Sequence, residues 1–252
     1  MSEDRPLRSE VREDGVAVLT FDRPALRNAL DAPQWERLAR ALGDLAANPA
    51  VRCLIVTGRG QSFAAGGDLK TMLDELQTEA DAKAFRARLA SCFSALCHFP
   101  KPTIASINGP AIGGGLEIAM CCDVRVASTA VRFGMPAARF GIVMAKAEFA
   151  RLVGIVGLDR ARFMAITGEI IAAEQALSFG LVHEVHAPEG LAEATEKWAK
   201  RLVAMDPEAV SWFRSTAAAM EAATDPSFDP AFESACLLRP EFRRRVEAFL
   251  HK

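Results

Sequence analysis

Twice in this chain a short β-branched apolar run leads into a turn crowded with glycine, and this pairing restricts the fold more than any other feature. Residues 51 to 57 (VRCLIVT) precede SFAAGGDLK at 62 to 70, and residues 103 to 107 (TIASI) precede NGPAIGGGLEI at 108 to 118. Both runs read as buried strands, and VAVLTF at 16 to 21 reads the same way. After that first strand Asp31 stands three residues ahead of Gln34, a capping-box spacing, and Trp35, Leu38, Leu42 and Leu45 recur on one helical face. The pattern repeats with a helix near 79 to 97, the 103 to 107 strand, a short helix from about 115 and a strand at 123 to 127 (DVRVA). Such alternation predicts an α/β fold with largely parallel pairing. It also brings both glycine-rich turns to one sheet edge, where open α/β sheets place ligands.

From Pro188 onward the residues are helix formers without strand runs, broken at Asp206-Pro207, Asp225-Pro226 and Arg239-Pro240. We therefore expect a core over residues 1–190 and a helical region over 191–252. A chain of 252 residues, half of them apolar, can bury a full core without disulfides or metals. Its 30 basic and 32 acidic residues nearly cancel, which argues against nucleic acid or an anionic membrane as partner. The six cysteines form no C-x-x-C pair and no zinc spacing, so they read as reduced, buried small hydrophobes. The N-terminus MSEDRPLRSE has no apolar signal core and no run reaches the 18 residues of a membrane span, so a cytoplasmic setting is expected.

Glycine turns let backbone approach a ligand closely, and two convergent N–H groups make an oxyanion hole. The second turn also opens a helix, whose positive end favours a developing anion. Either turn alone could be no more than a tight connection. Nucleotide motifs are absent: Gly113-Gly114-Gly115 is followed by Ile118 where a dinucleotide fingerprint needs a third glycine, and no G-x-x-x-x-G-K-[ST] occurs.

Taken together, RPALRNALD, SFAAGGDLK, PKPTIASINGPAIGGGLEIAMCCDVRVAS, ALSFGLVHEV and VEAFLHK resemble the crotonase superfamily, the enoyl-CoA hydratase/isomerase family, along nearly the whole chain. The resemblance implies a repeated ββα spiral core with C-terminal helices that build trimers, often paired into hexamers. It implies an acyl-CoA thioester substrate, with coenzyme A part of that substrate and no separate cofactor. By the same resemblance the oxyanion-hole N–H groups belong to Gly67 and Gly114, and coenzyme A lies along Ala65, Gly67, Asp68, Leu69 and Lys70.

Glu117 follows Gly114 by three residues on the short helix, so its side chain lies over the first turn. A favourable partner for the helix dipole explains it as well as catalysis does. The resemblance tips the reading, because hydratases of this kind hold and activate water with a glutamate there. They carry a second glutamate after the proline of a segment like FGMP; in FGMPAARFG that position is Ala137, which cannot transfer a proton. The next loop, GIVMAKAEFARL, also departs, with Met144 and Ala145 where specialised relatives place a reactive Tyr or Asp. Lys146 and Glu148 are the nearest charged replacements, though a solvated surface is the expected setting for both.

His183 and His186 are three apart in an expected strand and point to opposite faces, which makes a poor metal pair; no metal is assigned. His98 reads as a helix-end cap. Arg243 to Arg245 and Lys252 could meet coenzyme A phosphates, a solvated helix face being the simpler reading. The chemistry expected first is hydration of an enoyl-CoA. Double-bond isomerisation, decarboxylation, thioester hydrolysis and non-catalytic acyl-CoA binding are the alternatives.

Overall fold

A computed structural model of the protein describes residues 7–222 and 234–251. Its main sheet has six strands: β1 (Leu7–Val11), β2 (Val16–Phe21), β3 (Cys53–Gly58), β4 (Thr103–Ile107), β6 (Val124–Ser128) and β9 (Glu184–His186), side by side in that order. Every pair from β2 onward is parallel, and β1 alone runs antiparallel, against β2. A second, three-stranded sheet joins β5 (Ala111–Ile112), β7 (Arg132–Gly134) and β8 (Ile170–Ala172).

The helices are α1 (Ala32–Ala47), α2 (Leu69–Glu75), α3 (Glu79–Cys97), α4 (Gly114–Met120), α5 (Lys146–Val156) and α6 (Leu158–Thr167), then α7 (Ala173–Ser178), α8 (Leu191–Val203), α9 (Pro207–Ala222) and α10 (Pro240–Leu250). The mixed α/β architecture with a helical C-terminal part matches the expectation from the strand and helix patterns. Asp31 caps α1 as its spacing predicts, accepting from the Gln34 N–H at 3.1 Å. Asp206-Pro207 and Arg239-Pro240 mark the starts of α9 and α10, while Asp225-Pro226 and Lys252 lie outside the described residues.

Strands buried on both faces send alternate side chains to opposite sides. Leu54 and Val56 of β3, with Ala105 and Ile107 of β4, join Trp35, Leu38 and Leu42 of α1 in the main core. Cys53, Ile55 and Ile104 point the other way and pack on Leu191, Ala194 and Ala199 of α8. The sheet is therefore sandwiched, and its rigidity carries to the turns at its edge. A buried arginine ties the C-terminal helices to this frame: Arg214 of α9 donates to the carbonyls of Leu96 (2.8 Å) and Phe99 (2.5 Å) and ion-pairs with Asp123.

Candidate active site

The turns after β3 and β4 pack directly against each other. A parallel bridge pairs Ala64 with Ala111, in which the Ala64 carbonyl accepts from the Ile112 N–H at 3.1 Å. Gly66 has φ of +86°, and a Cβ there would stand 2.6 Å from the Ile112 carbonyl oxygen and 3.0 Å from the Gly114 nitrogen. A Cβ on Gly115 would overlap the Ala64 carbonyl. Glycine is thus required at these contacts by contact distance as well as by backbone angle.

The same register decides which N–H groups remain available. Leu30 bridges Gly67 in parallel: its N–H donates to the Gly66 carbonyl (2.8 Å) and its carbonyl accepts from the Asp68 N–H (2.9 Å). Gly67 sits between those two bonds, so its own N–H faces away from Leu30. Gly114 is the first residue of α4, and its N–H is one of the donors a helix leaves without an internal acceptor. Trp35, fully buried, lays the edge of its ring 3.0 Å from where a Gly114 Cβ would be and packs edge-on against Phe93. It walls the turn from the α1 side. The helical pattern marked Trp35 only as core.

Downstream of Gly67, Asp68 caps α2 by accepting from the N–H groups of Lys70 (3.2 Å) and Thr71 (3.4 Å). Ala65, Leu69 and Lys70 continue the same turn, with Lys70 exposed. On α4 Glu117 is 6% exposed. Burial first, and the like charge of Glu148 second, push its carboxyl up to about 8 against the opposing pull of Arg86 and Arg151. A carboxyl in that range can both give and take a proton near neutrality. Ala137 lies in a 3-10 turn (Pro136–Phe140) and packs its methyl against the apolar core.

Residues 11–232 match the family model for enoyl-CoA hydratase/isomerase. The chain belongs to the enoyl-CoA hydratase/isomerase family. Mevalonyl-coenzyme A hydratase of Beauveria bassiana is 37% identical over 203 residues, covering 77% of this chain and 72% of that one. Crotonyl-CoA hydratase of Syntrophomonas wolfei is 34% identical over 248 residues, 96% of this chain and 94% of that one. Among solved structures, an enoyl-CoA hydratase/isomerase from Pseudoalteromonas atlantica superposes with a TM-score of 0.85 at 28% identity, covering 98% of this chain and 97% of that one. The protein is an enzyme of the hydratase/isomerase kind with a crotonase fold.

One expectation about this family member is corrected by its structure. Glu148 is not a solvated surface charge: it is 3% exposed, accepts from the Ala145 N–H at 2.5 Å and pairs with Arg86 of α3 at 3.2 Å. Lys146, at the start of α5, is half-buried. Neither Arg86 nor Arg151 was singled out from the sequence, because no local periodicity separates a buried arginine from a solvated one.

The remaining cysteines, histidines and basic residues singled out from the sequence have structural settings of their own. The six cysteines are buried and none is in a disulfide, and burial pushes the Cys53 and Cys122 thiols up to about 12, far from a nucleophilic thiolate. His98 caps α3, its Nδ1 2.9 Å from the Ser94 carbonyl. His183 Nδ1 accepts from the Arg125 N–H, and His186 bonds Glu184. Among the described residues no three His, Cys, Asp or Glu side chains group as metal ligands, and no helix is long and apolar enough to cross a membrane. Arg243 reaches the Leu73 carbonyl on α2, and Arg244 and Arg245 share Glu241 within α10. These contacts favour a helix-docking role for Arg243 and a surface ion cluster for its neighbours.

Proposed function

We propose that the protein hydrates a 2-enoyl-CoA, with the thioester oxygen held by the N–H groups of Gly67 and Gly114 and Glu117 as the single acid and base. The observation that supports this reading is the mutual packing of two glycine turns, the second of which opens the helix that carries buried Glu117 three residues after Gly114. Ionised Glu117 takes a proton from water while the water oxygen bonds to C3. The C2=C3 electrons move toward the carbonyl, and the resulting enolate oxygen is held by the two N–H donors. Protonated Glu117 then returns the proton to C2, so one water is added and the carboxylate is restored. Coenzyme A would run along Ala65, Gly67, Asp68, Leu69 and Lys70, and no other cofactor is needed for this sequence of steps.

Isomerisation is the second reading, favoured by Ala137, because one carboxylate can carry a proton between C4 and C2 without a second acid. Purified protein incubated with saturated, 2-enoyl, 3-enoyl, 3-hydroxyacyl and malonyl-type CoA esters, with products followed by mass spectrometry, separates these reactions. Water addition to the 2-enoyl ester, lost in Glu117→Gln with coenzyme A affinity kept, supports the proposal. Binding of every ester without turnover sinks it. We further propose a cytoplasmic homotrimer or hexamer. The exposed Trp212, Phe213 and Met220 along α9 support assembly, and native mass spectrometry reads the state directly.

A further inference from the structure

Four ionisable side chains meet where α3, α4 and α5 pack together, a place where an apolar core would be cheaper to build. Glu117 comes from α4, Arg86 from α3, and Glu148 and Arg151 from α5. Glu117, Glu148 and Arg151 are each less than a tenth exposed, and the Arg86 side chain is 14% exposed. Buried charges are retained at a net cost unless paired, and even a paired cluster stabilises no better than a hydrophobic one. Stability therefore does not account for them.

Their arrangement is directional. Glu148 occupies the first turn of α5, where its Oε2 accepts from the Ala145 N–H (2.5 Å) and meets Arg86 Nη2 (3.2 Å), so the carboxylate is fixed from two elements. Arg151, three residues further on, donates Nη1 to Cys121 Sγ at 3.5 Å. Cys121 follows Glu117 by four residues, so the arginine lies along the face of α4 that bears Glu117. The loop feeding α5 closes the arrangement: the Ile142 N–H donates to the Ala137 carbonyl at 3.0 Å, and Ile142, Val143 and Met144 pack on the apolar core. The 136–140 turn presents no carboxylate, and the residue that does present one enters from α5.

We propose that Glu148 is the second carboxylate of this site, a positioning residue that acts through Glu117 and sets the proton balance with which Glu117 meets the substrate. This rests on the reading of Glu117 as acid and base. The charged groups facing Glu117 are Arg86 from α3 and Glu148 and Arg151 from α5, with the Cys121 thiol beside Arg151 and the Cys97 thiol bonded to Cys121; the β5 residues Ala111 and Ile112 bring none. With Glu148 in place, two positive charges face two carboxyls, and Glu117 keeps its proton into the neutral range. Without it, the pull of Arg86 and Arg151 on Glu117 would no longer be opposed by a like charge, leaving a more readily ionised and weaker base.

The test is the titration of Glu117 itself, read by infrared difference spectroscopy against Glu117→Gln, alongside the pH profile of kcat/KM. In Glu148→Gln the Glu117 midpoint and the rising limb of the profile should both move down by about one to two pH units, the size expected when a nearby like charge is removed. Glu148→Asp, which keeps the charge but draws it back by one methylene, should move the midpoint in the same direction by less and recover part of kcat. A purely structural role predicts a lower rate at every pH with neither midpoint displaced, and that result in either variant overturns the proposal. If Glu148→Gln does not fold, as judged by circular dichroism, the Glu148→Asp titration decides alone. An unmoved rate in Glu117→Gln would instead sink the underlying reading of the site, so the two failures are distinct.

Discussion

Replacing Glu117 by glutamine should make the folded protein more stable while removing its activity, with a pH dependence that identifies the cause. A buried carboxyl pushed from an ordinary value of 4.5 up to about 8 resists ionisation in the folded chain. The native state then binds the proton more tightly than the unfolded chain between those two values, so wild-type stability falls as pH rises through that window and levels off above it. Integrated over the shift, the penalty is about 1 kcal/mol at pH 5, about 3 at pH 7 and about 5 at pH 9. Glutamine has nearly the same shape and carries no charge at any of these pH values. The gain of Glu117→Gln over wild type should therefore grow with pH, reaching about 6 to 12 °C in Tm at neutral pH for a chain of this size. Thermal melts of both proteins at pH 5, 7 and 9, at one protein concentration, read it directly. Parallel curves, with a gain that ignores pH, would refute the argument that Glu117 is held protonated by its surroundings. The accompanying loss of rate, about 10²- to 10⁴-fold for a missing acid/base group, would make Glu117 a residue kept for chemistry against stability.

Three further outcomes follow from other parts of the molecule. Gly66→Ala should cut turnover by about 10²-fold or more, because a Cβ 2.6 Å from the Ile112 carbonyl forces the two turns apart and displaces a donor; normal kinetics in the folded variant would show that the turn contact is dispensable. Ala137→Glu should raise the hydration rate at least about tenfold by adding a second proton-transfer group, and a folded variant without gain would show that a carboxylate at 137 has no access to the substrate. Arg214→Leu removes the donors to the buried carbonyls of Leu96 and Phe99 and the ion pair with the exposed Asp123, which keeps its bonds from Thr103. It should cost about 1 to 3 kcal/mol, the range for leaving buried acceptors unsatisfied, measured by urea denaturation, and a loss below about 0.5 kcal/mol would remove the arginine from the account of how α9 is docked.

Where the sequence was legible, a local signal coincided with the tertiary need. The strand at 103 to 107 and the helix at 79 to 97 were bounded correctly because β-branched runs and capping residues act within a few positions of themselves. The glycine turns were legible because contact between them demands glycine, which the alphabet records without ambiguity. β1 was missed for the opposite reason: LRSEV has four exposed residues of five and pairs with β2 through its backbone alone, so no side-chain pattern announces it. The strands of the small sheet are two or three residues long, too short to alternate.

Glu148 fails in a more instructive way. Within its own segment it looks like any acidic residue in a first helical turn, favourable to the dipole and solvated. What buries it is Arg86, 62 residues earlier, so the pair exists only after α3 and α5 have been packed against α4. Reading charge by charge along the chain leads to Ala137 as a vacancy in the chemistry. Reading by contact, the 136–140 turn and α5 are joined by a loop that packs on the core, and the buried carboxyl of this stretch is that of Glu148, eleven residues after Ala137. On our proposal Glu148 acts on the acyl chain only through Glu117, by deciding how readily Glu117 gives its proton, and that accounts for burying Glu117, Glu148 and Arg151 together beside Arg86.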